Sequence, residues 1–185
     1  KIATKTVGLQ MGYYSTRLQN LITRVRVPNE QVNGINVYRK ENVEKAYING
    51  LDAKLQANLL SSLQLYGNVS YCFGQNETKD EPMRRIPPVN GRFGLNFSKN
   101  KGWIRPEFWF AGAQERLAQG DKDDNRIAKG GTPAWNVFNL NAGYTLKRIS
   151  LTAAVQNLFD EDYRTHGSGI NGYGRSLWLT AEFKW

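Results

Sequence analysis

The chain has 185 residues, a formal charge of +9, 12 % aromatic residues and 18 glycines. One cysteine, Cys72, excludes an internal disulfide, and one Cys with one His excludes a Cys/His metal cluster. No stretch approaches the ~18 consecutive apolar residues of a membrane-spanning helix, and KIATKT has no apolar run behind it, so a signal peptide is expected upstream if the protein is exported.

The hydrophobic period is two throughout, which predicts strands. In chain order, the first strand covers about residues 6–26, where Val7, Leu9, Met11 and Tyr13 alternate with Gly8, Gln10, Gly12 and Tyr14. The second, about 45–58, sets Leu51, Ala53 and Leu55 against Gly50, Asp52 and Lys54. The third, about 61–74, sets Leu63, Leu65, Val69 and Tyr71 against Gln64, Tyr66, Asn68 and Ser70. The fourth, about 91–99, places Phe93, Leu95 and Phe97 opposite Arg92, Gly94 and Asn96. In the fifth, about 103–116, Ile104, Pro106, Phe108 and Phe110 oppose Arg105, Glu107 and Trp109; Pro106 removes a ladder hydrogen bond and predicts a bulge. The sixth, about 135–146, alternates Phe138, Leu140, Ala142 and Tyr144 with Asn139, Asn141 and Gly143. The seventh, about 149–159, alternates Ile149, Leu151, Ala153 and Val155 with Ser150, Thr152 and Gln156. The last, about 175–185, carries Leu177, Leu179, Ala181, Phe183 and Trp185 on one face and Thr180, Glu182 and Lys184 on the other.

The connections alternate in length. NLLSS, KNKG and LKR are short; about 27–44, 75–90, 117–134 and 160–174 are long and polar. An up-and-down barrel in an outer membrane has this segregation, with tight periplasmic turns and long outer loops, and ~10-residue strands that cross at a tilt. Tyr13, Tyr47, Tyr71, Phe73, Trp103, Phe138, Phe159 and Trp185 fall near strand ends, as interfacial girdles require. Periodicity alone leaves two alternatives open: a complete eight-stranded membrane barrel, and a soluble ligand-binding barrel or sandwich whose apolar face packs inward. In a membrane barrel, Asp52, Lys54, Arg92, Arg105, Glu107 and Glu182 must face the lumen, because a charge costs too much in lipid.

Several pieces together resemble the C-terminal part of the barrel of TonB-dependent outer-membrane receptors. They are Gly131-Thr132-Pro133, the strand FNLNAGY, NLFDEDYR at Asn157–Arg164, HGSGI at His166–Ile170, Gly174-Arg175 and the terminal Trp185. AYINGLDAKL, RIPPVNGRFGLNF and AQERL are similar too, so the resemblance spans nearly the whole chain. It implies an all-β, antiparallel, up-and-down transmembrane β-barrel of which residues 1–185 supply the last eight strands of ~22, the plug domain lying outside them. It further implies active uptake of a scarce small-molecule nutrient such as an iron-siderophore, haem or cobalamin. The partners implied are outer-membrane lipid and lipopolysaccharide, the N-terminal plug, the TonB complex through the plug and its TonB box, and the barrel-assembly machinery. No cofactor and no enzymatic activity are implied.

The motif residues on which the resemblance rests are Asn157, Leu158, Phe159, Asp160, Tyr163, Arg164, His166, Gly167, Gly174 and Arg175. Leu177, Leu179, Phe183 and Trp185 form the alternating aromatic end that resembles the assembly signal. Two other clusters invite chemistry. DKDDNR at Asp121–Arg126 is acidic but lacks the spacing and distal Glu of a calcium loop. Asp160, His166 and Ser168 are near in sequence, yet a hydrolytic triad needs a scaffold that aligns them. The basic charges are dispersed over strands and loops rather than clustered with stacking aromatics, which argues against nucleic acid and suits lipopolysaccharide phosphates or an acidic ligand.

Overall fold

A computed structural model describes residues 2–185. Its elements are β1 (Ile2–Ala3), β2 (Val7–Val32), β3 (Ile35–Leu60), β4 (Leu63–Asn76), β5 (Glu81–Pro82), β6 (Asn90–Lys99), β7 (Gly102–Ala111), α1 (Gln119–Lys122), β8 (Trp135–Leu146), β9 (Ile149–Gln156) and β10 (Ser176–Phe183). They form one sheet in the order β1-β2-β3-β4-β6-β7-β8-β9-β10, with β5 pairing β4 off that path. Every pairing is antiparallel. The result is an up-and-down meander of eight wall strands and two short ones, not closed on itself among the described residues.

Three tight turns lie at one end of the wall. Asn100 and Lys147 adopt positive φ there, 55° and 51°, which lets two residues reverse the chain. The three long connections, 77–89, 112–134 and 157–175, lie at the other end. The segregation of connection lengths is therefore real in space.

Segment 27–44 differs from the expected loop. β2 and β3 continue through it as one ribbon and reverse at Asn33-Gly34, where both φ are positive, 52° and 77°. That is the primed turn whose twist matches paired strands. Register shifts between Leu18 and Ile22 and between Arg26 and Gln31 mark where the ribbon leaves the wall's regular ladder. Pro106 also differs from expectation, since it makes no bulge. On β8 it stays in register opposite Leu140, and on β6 the ladder has the same register on both sides of it, Gly94 with Glu107 and Phe97 with Ile104. The missing N–H interrupts bonding to β6 only, and β8 holds the strand in place. β7 ends at Ala111 rather than near 116, because Gln114 leaves to bridge Thr132. β9 ends at Gln156 rather than near 159, because Asn157 turns at φ 50° and gives its N–H to the Asn139 side chain.

The apolar face of the wall has no cover. Met11 is 58 % exposed, Leu179 74 % and Phe183 65 %, and Leu51, Leu95, Phe97, Ile104, Tyr144 and Leu151 are exposed beside them. The buried apolar residues are few and small; Ala46, Ile86, Leu117, Ala118 and Ile127 lie at or under the long connections. Outside, Phe93, Phe110, Phe108, Phe138 and Phe159 form a continuous band of rings, with successive centroids 6.0, 5.8, 4.8 and 5.2 Å apart. A soluble sandwich would converge these side chains on a dry centre. This sheet turns them outward, as a wall in lipid does.

Candidate functional site

The other face is built of polar rungs. Because the register is regular, Asn68, Arg92 and Trp109 lie opposite one another across β4, β6 and β7. Tyr66, Gly94, Glu107 and Asn139 form the next rung toward the short turns, followed after a gap by Arg105 with Asn141 and Trp103 with Gly143. Glycine is required where a large ring crosses a neighbouring strand: a Cβ on Gly94 would sit 2.5 Å from Tyr66, and one on Gly143 2.4 Å from Trp103.

All six charges expected in the lumen lie on this polar face. Asp52 accepts from Ser70 Oγ at 2.6 Å, and Arg92 Nε donates to Asn68 Oδ1 at 3.3 Å. Glu107 accepts from Tyr66 OH at 2.7 Å. Arg105 lies 5.1 Å from the Trp103 ring, its Nε buried without a partner. Lys54 pairs across with Gln10 and Asn68, and Glu182 with Ser150. They form ladders of hydrogen bonds and cation–ring contacts rather than one focused cluster.

The motif 157–175 is a self-bonded cap. Asn157, 1 % exposed, is its hub: Nδ2 donates to Glu161 O and Tyr173 O at 2.8 and 2.9 Å, and Oδ1 accepts from Glu161 N at 2.9 Å. Asp160 accepts from Arg175 N at 2.6 Å, and Arg164 grips Asn171 Oδ1 at 2.8 and 2.6 Å. Tyr163 packs on Trp135 at 4.7 Å. Gly167 takes φ 74°, and Gly174 leaves room beside Asp160, where a Cβ would meet Oδ1 at 3.1 Å. Leu158 and Phe159 are exposed next to the ring band. Leu177, Leu179 and Phe183 line the exposed face of β10, and Trp185 lies beyond that strand, fully exposed.

Asp160, His166 and Ser168 are not brought together. His166 Nδ1 meets Thr132 Oγ1 at 2.8 Å, Asp160 holds Arg175, and Ser168 Oγ donates to Ile170 O. Burial pushes the His166 pKa below its ordinary 6.5, outweighing the nearby Asp121, so the ring is neutral at pH 7. Asp121 and Asp124 of DKDDNR are neutralised by arginines, and Arg84 and Arg85 each contact both of them. Asp121 accepts from Arg85 N at 3.2 and 3.3 Å and pairs with Arg84 at 3.6 Å. Asp124 pairs with Arg85 at 3.0 Å and Arg126 at 2.7 Å. Asp123 accepts from Tyr38 OH at 2.6 Å, which raises the Tyr38 pKa. These contacts bolt 112–134 to 77–89 and to the β2–β3 ribbon, and sequence reasoning missed them.

Under the bolted connections two cavities open. One, of about 560 Å³, lies over Asn68, Arg92 and Trp109, roofed by Pro87, Pro88 and His166. The other, of about 500 Å³, lies among Arg24, Tyr38, Arg84, Gln119 and Asp123.

Comparison with known proteins agrees with this geometry. The family model described as "TonB dependent receptor-like, beta-barrel" matches residues 3–158. No curated protein matches the sequence. Among solved structures, the copper transporter OprC superposes with a TM-score of 0.84 at 22 % identity, covering 98 % of this chain and 29 % of its own. A mutant of the ferric enterobactin receptor PfeA from Pseudomonas aeruginosa, in complex with enterobactin, gives 0.73 at 19 % identity, covering 97 % and 29 %. The FrpB iron transporter from Neisseria meningitidis gives 0.71 at 14 % identity, covering 99 % and 30 %. The chain thus spans less than a third of the length of these structures.

Proposed function

This chain belongs to the TonB-dependent receptor family, as part of its β-barrel, and on that premise we propose that it forms one side of an active import receptor for a scarce metal or metal chelate. The family consists of outer-membrane barrels, and the outer membrane is where this wall resides. The observation that carries the reading is the two-sided wall. One face exposes an unbroken apolar surface with a ring band, and the other carries Asp52, Lys54, Arg92, Arg105, Glu107 and Glu182. A membrane on the first side and an aqueous lumen on the second suit both faces.

The sheet edge formed by β1 and the rest of β2, and the edge of β10, cannot face lipid unpaired, so further strands complete the wall, to ~22 in our reading. A plug domain fills the lumen, and TonB drives transport through it. Substrate chemistry is transport rather than turnover. The neighbouring structures are named for copper, iron and ferric enterobactin, which favours a metal or siderophore cargo over cobalamin or haem. Arg24, Arg26, Arg39 and Lys40 of the projecting β2–β3 ribbon meet lipopolysaccharide phosphates. The alternating end at Leu177, Leu179, Phe183 and Trp185 is the strand offered to the assembly machinery, as an amphipathic edge suited to strand addition.

The test is uptake of radiolabelled iron-siderophore and copper by cells with and without the gene, and with and without a protonophore. Energy-dependent uptake that requires the gene is expected. Uptake that ignores the protonophore, or a protein that fractionates away from the outer membrane, overturns the proposal.

A further inference from the structure

The larger cavity has an unusual balance of hydrogen-bonding groups. Its floor is the rung Asn68–Arg92–Trp109, with Asn90 and Trp135 on the adjoining rung toward the long connections. At about 560 Å³ it has the size of a small-molecule site. No Asp or Glu lines it. Arg92 commits only Nε, to Asn68; its terminal nitrogens make no hydrogen bond or ion pair among the described residues. Trp109 Nε1, a donor that can never accept, is buried without a partner. His166 Nε2 is buried without one too, its other nitrogen being held by Thr132. Trp135, Pro87 and Pro88 give the lining a flat apolar part, and Asn90 and Thr165 are its other polar side chains.

We propose that this cavity binds a small organic anion bearing a planar ring, its oxygens accepting from Arg92 and from Trp109 Nε1–H while the ring lies against Trp135 and the two prolines. A guanidinium and an indole N–H in one cavity, with no carboxylate in the lining and Glu107 of the next rung bonded to Tyr66, select an acceptor-rich anion. Flat apolar walls select a ring over an aliphatic chain. The site rests on the receptor reading for its access, since the lumen face must be reached by solute. It goes beyond that reading by naming the wall residues and the ligand chemistry.

The probe is benzoate, titrated against the protein reconstituted in nanodiscs and followed by ligand-observed NMR, with protein-free nanodiscs as blank. Benzamide removes the charge and acetate removes the ring. Benzoate is expected to bind, with each of the other two weaker by about tenfold, and Arg92→Gln is expected to cost about tenfold. Trp109→Phe, which keeps the ring and deletes the donor, should weaken binding several-fold. Lys101→Gln, in a distant turn, should change nothing. Heat-modifiable gel mobility identifies variants that fold. Absence of benzoate binding by folded wild type, or equal binding by wild type, Arg92→Gln and Trp109→Phe, overturns the site. Energy-dependent uptake that persists alongside either result leaves the receptor reading standing; benzoate binding without such uptake sinks the receptor reading and leaves the site.

Discussion

Leu95 and Asn96 are neighbours in sequence and face opposite sides of β6. The ten residues of that strand, at ~3.3 Å each and a tilt of ~40°, rise ~25 Å, which matches the apolar height of an outer-membrane barrel. Leu95 has five residues before it in the strand and four after, so it lies ~12 Å from either edge, at the midplane. Arginine there costs ~2–4 kcal/mol. Leu95→Arg should therefore destabilise the folded barrel by about that amount in reversible denaturant titrations in lipid vesicles. Asn96→Arg puts the same charge on the polar face, where about 0.5 kcal/mol or less is expected. Equal penalties, or a larger one at Asn96, would refute the assignment of the two faces, and with it everything that follows from the membrane.

Three further outcomes are expected. Gly94→Ala forces a Cβ to within 2.5 Å of the Tyr66 ring and dislodges its bond to Glu107, costing about 1–3 kcal/mol; Gly12→Ala, with nothing within 4 Å, should stay within about 0.5 kcal/mol in the same titration. Asp121, 1 % exposed, holds Arg85 N and Arg84, so Asp121→Asn should lower amide-exchange protection in 77–89 and 112–134 by about 1–3 kcal/mol and leave the wall strands unchanged. The folded pKa of His166 lies below the unfolded 6.5, so the unfolded cap binds more protons as pH falls. Its stability is full above about pH 6.5 and declines as pH drops toward the depressed value. Protection of 157–175 should fall from pH 7 to pH 5 after correction for intrinsic exchange, and His166→Asn should flatten that dependence.

The wall was legible because lipid and lumen impose opposite chemistry on alternate residues. Met11 against Gly12, Phe93 against Arg92 and Leu140 against Asn141 carry the period of two unaided. The β2–β3 ribbon escaped because it projects past the wall. In the stretch 27–44, which reads as a loop in the sequence, Asn29, Glu30, Gln31, Arg39, Lys40 and Glu41 crowd both faces, so the alternation fades. Its one clear signal was the Asn33-Gly34 pair, a hairpin turn in a stretch otherwise polar enough to pass for a loop. Pro106 misled for a different reason. The lost donor is a local fact, but whether it bends a strand depends on the neighbour on the other side, and β8 keeps it straight.

The candidate sites divide along the same line. The Asn157 hub bonds within its own segment, to Glu161 and Tyr173, so a short motif can encode it whole. The Asp121–Arg84, Asp123–Tyr38 and His166–Thr132 contacts join connections that are distant in sequence and alike in composition. Nothing local says which arginine meets which aspartate. The cavity is further from the sequence still, because it exists only where those docked connections arch over one particular rung. A rung is fixed by register, and register is fixed by the wall. Any slip of β6 against β7 by one residue would turn Arg92 into lipid and Phe93 into the lumen. The membrane that makes the wall readable therefore also holds the cavity's floor in place, and the bolted outer segments supply only its roof.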